Sequence, residues 1–153
     1  MIYLQNNCIS KIENLNHLTR LVNINLSNNR IRLIEGLIGL TELKCLDLLG
    51  NLIPDTEACE ELLHLPSLTS IDLTGNLISD HQNVIPFFSK IENLTSIKLK
   101  NNPAVRKISM FKKNMIANCK VLTFLDDRPV MACERVVADA FARGGKEEEE
   151  RVK

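Results

Sequence analysis

Tryptophan is absent from the 153 residues, tyrosine occurs once and phenylalanine five times. Charge of either sign is not in surplus, since Lys+Arg and Asp+Glu both number 19. A chain of zero net charge lacks the basic excess needed to grip nucleic-acid phosphates. No apolar run approaches the ~18 residues that span a bilayer. The start Met1-Ile2-Tyr3 lacks the basic and apolar regions of a secretory leader. Neither a nucleic-acid nor a membrane partner is therefore expected. The five cysteines (Cys8, Cys45, Cys59, Cys119 and Cys133) are odd in number and hold no CxxC pair. They read as small core hydrophobes of a reducing compartment, not as a disulfide framework or zinc site.

What the chain has instead is 23 leucines, 15 isoleucines and 16 asparagines. Leucine and asparagine enriched together point to a repeat. Alignment on asparagine yields Leu-x-x-Ile/Leu-x-Leu-x-x-Asn-x-Ile. The pattern appears in Leu21, Ile24, Leu26, Asn29 and Ile31, then in Leu43, Leu46, Leu48, Asn51 and Ile53. It continues through Leu68, Ile71, Leu73, Asn76 and Ile78 to Leu94, Ile97, Leu99 and Asn102, with a clipped copy at Ile2, Leu4, Asn7 and Ile9. The asparagines fall 22, 22, 25 and 26 residues apart, which is the signature of a leucine-rich repeat.

The predicted fold is an α/β leucine-rich-repeat solenoid. A curved parallel sheet forms its concave side, 3₁₀ and α-helices its convex side, and a helix caps its C-terminal end. The repeat domain covers 1–143, with repeats at about 1–20, 21–42, 43–67, 68–93 and 94–121 and a cap at 122–143, followed by a charged tail at 144–153. The Leu-x-Leu alternation turns leucines inward and the x residues outward. Asn7, Asn29, Asn51, Asn76 and Asn102 are expected to stack as a structural ladder that satisfies backbone groups where the chain leaves the strand.

On the convex side, Ile12, Leu15, Leu18 and Ile34, Leu37, Leu40 recur every three residues, which suits 3₁₀ turns. The longer repeats leave room for α-helices, one after Asp55-Thr56 through Ala58, Cys59, Leu62 and Leu63. A second follows Ser79-Asp80 to Phe87 and Phe88, bent or interrupted by Pro86, and a third covers about 105–118. Cys133, Val136, Val137, Ala140 and Phe141 form the apolar stripe of the capping helix, which Gly144-Gly145 should end. The tail with Glu147-Glu148-Glu149-Glu150 has no core to join and is expected to be solvated or a frayed helix extension. The strand at Ile2-Tyr3-Leu4 opens the chain without a lid, so either earlier repeats or self-association with a second copy should cover that edge.

No catalytic set emerges. His17, His64 and His81 lie on convex or loop segments, none beside a Ser or Cys in a nucleophile context. Cys59 and His64 lack a second pair of metal ligands. The steps Gly50-Asn51 and Gly75-Asn76 belong to the repeat's turn, not to a phosphate loop. No enzyme, cofactor or metal is expected. The candidate partner-binding residues are the outward strand positions. These are Tyr3 and Gln5, then Asn23, Asn25 and Ser27, then Cys45, Asp47 and Leu49, then Ser70, Asp72 and Thr74, and finally Ser96, Lys98 and Lys100. They run from amides through a two-aspartate patch to a two-lysine patch, with Leu49 as an apolar anchor.

The segments Ile31-Arg32-Leu33-Ile34-Glu35-Gly36-Leu37 and Ile9-Ser10-Lys11-Ile12-Glu13-Asn14-Leu15 resemble the 22-residue repeats typified by the nuclear regulatory subunit of protein phosphatase 1, a form shared with an axonemal dynein light chain. The stretches Leu122 to Val130, Ala138 to Gly145 and Asn102 to Ile108 more closely resemble the end of the repeat domain in the axonemal dynein assembly factor 1 family. That resemblance implies a non-enzymatic protein-binding scaffold for cytoplasmic preassembly of the dynein arms of the axoneme in cilia and flagella. The partners it implies are axonemal dynein chains and chaperone-type cofactors. It also implies further repeats before this chain and a charged region after it, and maps Asp126, Asp127, Arg128 and Pro129 as a signature at the cap junction. A phosphatase 1 regulatory or targeting subunit and a light-chain-like axonemal component are the alternatives.

Overall fold

The computed structural model describes all of residues 1–153. Seven short strands form one sheet in chain order: β1 (Ile2–Tyr3), β2 (Asn23–Asn25), β3 (Cys45–Asp47), β4 (Ser70–Asp72), β5 (Ser96–Lys98), β6 (Phe124–Leu125) and β7 (Arg128–Pro129). The first six pair in parallel, as right-handed repeats stacked side by side require. The seventh is antiparallel to β6, so the sheet is parallel except at its last edge. Ile24, Leu46, Ile71, Ile97 and Leu125 are register partners and all are buried. One continuous cluster of 36 buried residues fills the space behind them, which makes the repeats a single core.

Each strand ends where the backbone enters the left-handed region just before a repeat asparagine. Asn6, Asn28, Gly50, Gly75 and Asn101 have φ of 58°, 54°, 67°, 68° and 59°, values that asparagine and glycine tolerate best. The asparagine that follows then turns inward. Asn51 is the pattern: its Nδ2 donates to Leu26 O at 2.9 Å and Leu48 O at 3.0 Å, and its Oδ1 accepts from Ile31 N at 3.0 Å. Asn29, Asn76 and Asn102 repeat these bonds one turn before and after. Asn7 differs, being exposed and bonded to Leu4 O and Gln5 O of its own turn alone.

The convex side departs from several expectations. In the 22-residue repeats the three-residue spacing gives isolated turns, with Leu18 N to Leu15 O and Leu40 N to Leu37 O at 2.9 and 3.0 Å, and no continuous helix. Asn14 (φ 62°) and Gly36 (φ 72°) interrupt it at equivalent positions. Glu57–His64 forms a 3₁₀ helix, not an α-helix; Asp55 Oδ1 accepts Ala58 N at 2.8 Å and tightens its start. α1 (His81–Phe88) runs through Pro86 without interruption. The carboxylate of Asp80, instead of capping α1, accepts the amide and hydroxyl of Thr56 in the preceding repeat. The single helix expected over 105–118 is two, α2 (Pro103–Lys107) and α3 (Phe111–Asn118), split by Met110 at φ 50°.

The cap also differs. α4 (Ala132–Val152) is broken at Gly144 and Gly145 but resumes, so the glycines do not end the helix and the tail is a helix extension, the second of the two forms expected. Glu149 is 5% exposed and pairs with Lys113 at 2.7 Å and Lys153 at 2.6 Å, which holds its carboxyl below the usual range. Of the expected buried stripe Ala140 is buried but Cys133 and Val136 are exposed, and Ala138, outside the stripe, is buried. Arg135 faces the repeats instead, its guanidinium donating to Ile116 O at 2.8 Å in the last turn of α3 and to Leu122 O at 2.7 Å in the segment that follows it.

Two substitutions test this account by thermal or denaturant unfolding. Asn76→Ala leaves the buried Ile53 amide without a partner and takes one of two asparagine amides from each of the Leu48 and Leu73 carbonyls, and should cost about 1–3 kcal/mol. Gly36→Ala places a Cβ 2.6 Å from Ile12 O at a left-handed residue, and should cost more than about 1 kcal/mol. Gly39→Ala, whose Cβ would meet nothing nearer than 4.0 Å, should cost less than Gly36→Ala.

Candidate protein-binding surface

The outward strand positions form three rows across the sheet. Asn23, Cys45, Ser70 and Ser96 are register partners, and Phe124 continues them. Tyr3, Asn25, Asp47, Asp72 and Lys98 make the middle row. Gln5, Ser27, Leu49, Thr74 and Lys100 follow two residues later on the same side of each strand, beside amide-to-carbonyl bonds such as Asn28 N to Leu49 O and Gly50 N to Thr74 O.

The middle row has a structural task of its own. Asn25 Oδ1 accepts Ser27 N at 3.0 Å, Asp47 Oδ1 accepts Leu49 N at 3.1 Å and Asp72 Oδ1 accepts Thr74 N at 2.9 Å. Each is a side chain bonding the amide two residues on, which closes the strand's exit. Lys98 has no acceptor to offer at this register. Asp126 from the next turn supplies it, its Oδ1 accepting Leu99 N at 2.7 Å and Lys100 N at 3.0 Å.

Several candidate residues are not free solvent-facing groups. Ser27 is buried, its hydroxyl donating to Asn25 Oδ1 at 2.7 Å. Gln5 and Leu49 are half-buried. Lys98 is not part of an open lysine patch, since its ammonium lies 2.8 Å from Asp127 and 3.7 Å from Asp72. The bond to Asp127 raises the Lys98 pKa and lowers that of Asp127. Burial pushes the Asp47 carboxyl up, against the Leu49 amide and with the help of Asp72. Lys100 is exposed.

Sequence reasoning missed Phe124. It ends the first row, is 47% exposed and so places a ring on the concave face. The outward rows were followed only through the repeats carrying the asparagine; the period-2 alternation, carried on to the last strand, puts Phe124 outside between Leu122 and Leu125. The cap signature forms a hairpin. Asp126 and Asp127 are its two turn residues, at φ 45° and 57°, and Leu125 pairs with Arg128 across it. Arg128 and Pro129 are exposed on β7, and the arginine that grips the repeats is Arg135.

Nucleophile and metal chemistry find little support. Burial raises the Cys59 thiol far above its ordinary value and that of Cys119 to about 11, which disfavours the reactive thiolate. His17 and His64 are exposed, and no three His, Cys, Asp or Glu side chains come together in a metal-binding group. No helix is long and apolar enough to cross a membrane. What the face can do is present polar and aromatic groups on a rigid, curved array.

Residues 1–153 match the leucine-rich repeat family throughout. A dynein axonemal assembly factor 1 homolog of Drosophila melanogaster is 38% identical over 104 residues, 68% of this chain and 7% of that protein. Dynein axonemal assembly factor 1 of Homo sapiens is 38% identical over 44% of this chain and 10% of its own length. The leucine-rich repeat-containing protein ODA7 of Chlamydomonas reinhardtii is 38% identical over 43% of this chain and 15% of its own. The chain thus spans a small part of these relatives. Among solved structures, a chain of the Drosophila melanogaster SNF/U2A′ complex superposes with a TM-score of 0.78 at 29% identity, covering 98% of this chain and 84% of that one. Internalin C2 of Listeria monocytogenes, at 24% identity and a TM-score of 0.59 over 78% of this chain and 47% of its own, shares the fold. The chain belongs to the leucine-rich repeat family and, within it, is similar to dynein axonemal assembly factor 1.

Proposed function

We propose that this chain is the protein-binding part of a non-enzymatic scaffold that helps preassemble axonemal dynein arms in the cytoplasm of ciliated or flagellated cells. The observation that carries the reading is the 38% identity to the Drosophila assembly factor over two thirds of the chain. The architecture supports it, because a solenoid's sheet face offers an extended surface to another protein. Axonemal dynein chains and chaperone-type cofactors are the proposed partners, engaged through the outward strand rows together with Phe124.

The test is affinity capture of the tagged chain from the cytosol of a flagellated cell, with bound proteins identified by mass spectrometry. Axonemal dynein heavy or intermediate chains with chaperones are the expected catch. The double variant Ser70→Arg/Phe124→Asp should lose them while keeping its melting temperature, since both changes face solvent. Recovery of a phosphatase 1 catalytic subunit without dynein would sink the reading in favour of a phosphatase regulator. Retention of the protein on salt-washed axonemes would favour a resident axonemal component instead.

A further inference from the structure

Asp47 and Asp72 stand directly opposite each other on neighbouring parallel strands, at the ~4.8 Å spacing of adjacent strands. Like charges so placed repel. The cation beside them, Lys98, lies on the far side of Asp72 and is shared with Asp127. Asp47 makes no ion pair and keeps only the Leu49 amide at Oδ1. The fold has no need of its charge. Asn25 occupies the same row one strand earlier and closes the same turn with a neutral amide, Oδ1 to Ser27 N at 3.0 Å. The middle row therefore carries a negative surplus that the free chain leaves unmatched.

Apolar groups flank that surplus. Two of the six aromatic residues of the chain, Tyr3 and Phe124, are exposed at opposite ends of this face, 63% and 47% accessible. Leu49 sits on the Asp47 side of the third row, half-buried. The two rings stay largely uncovered by the chain, and Leu49 is covered only in part. An arginine answers both features, since its planar fork bonds two carboxylate oxygens at once and its stem packs on apolar neighbours. We propose that the concave face docks a protein segment presenting an arginine to Asp47 and Asp72, with apolar side chains on either side of it meeting Leu49 and Phe124. This rests on the reading of the sheet face as the protein-binding surface and names the chemistry of its partner.

The probe is a phage-displayed library of random 12-residue peptides, selected on the folded 153-residue chain. Selection should enrich peptides with an arginine between apolar or aromatic residues. Their affinity should fall roughly tenfold or more on Asp47→Asn/Asp72→Asn and weaken with added salt. Both asparagines retain the acceptor that closes each turn, so the variant should fold. Asp47→Asn alone should raise the melting temperature at pH 7. The raised Asp47 pKa means its ionised form costs stability above that pKa, with Asp72 and Lys98 facing it, so the gain should shrink as pH falls toward 3.8. Peptides without a basic residue, peptides indifferent to Asp47→Asn/Asp72→Asn, or no enrichment over an unrelated protein would each overturn the proposal. If such peptides are nonetheless lost on Ser70→Arg/Phe124→Asp, the face remains the docking surface and only its charge preference is refuted. If they survive that variant as well, the concave reading fails with it.

Discussion

The carboxamide of the repeat asparagine is the bond on which the rest of the molecule depends. Strands of two or three residues make few ladder bonds of their own, and the chain must leave each of them through the protein interior. There the carbonyls of Leu26, Leu48 and Leu73 each receive two asparagine amides, one from their own repeat and one from the next. Every turn is thereby fixed by its neighbour, and unpaired carbonyls, which would be costly in so apolar a core, are avoided. Insertions of three or four residues between asparagines are absorbed on the convex side, where Glu57–His64 and α1 form. The sheet register continues undisturbed from Tyr3 to Lys98.

An arrangement that relies on the next repeat must be ended with care. At the last full repeat the strand exit carries Lys98 in place of an asparagine or aspartate, so the side chain that should close the turn cannot accept a hydrogen bond. The hairpin after β6 compensates twice: Asp126 takes the two free amides and Asp127 takes the lysine. Beyond it, Arg135 donates to carbonyls in the last turn of α3 and just after it, and the Lys112–Glu134 and Lys113–Glu149 pairs hold α4 along the same helix. Termination is thus achieved with charged side chains, where the interior of the solenoid uses neutral amides.

This division explains what could be read in advance. The leucines and asparagines that build each repeat recur at fixed spacing, so the strands, the inward residues and the outward rows were legible from periodicity alone. The cap has no second copy to compare with. Its residues act across distances of about 20 positions, as Arg135 does on Ile116, and no local pattern announces such a bond. Apolar spacing put Cys133 and Val136 inside because it cannot register that Arg135 faces the repeats and donates to the carbonyls of Ile116 and Leu122. The tail is legible only as one of two forms for a related reason: four consecutive glutamates look solvated until Lys113, 36 residues earlier, is found facing one of them. Ser27 was misplaced because a side chain on the outward side can still be covered by its neighbour Asn25.

The same division locates where the chain's specificity can reside. Inward positions are committed to the core and the asparagines to the turns, so neither can vary without loss of stability. Outward positions in the first and third rows are free of backbone duty, and the middle row needs only a side-chain oxygen. At that single requirement the chain uses asparagine once, at 25, and aspartate twice, at 47 and 72. The neutral residue would have served the fold at all three and avoided the repulsion between the last two. The charge of Asp47, which the architecture neither needs nor pairs, is the feature from which the proposed arginine partner is argued. Likeness to the assembly factors therefore speaks to the class of task, while on the proposed reading these outward rows, with Phe124 at their end, select the protein surface that fits.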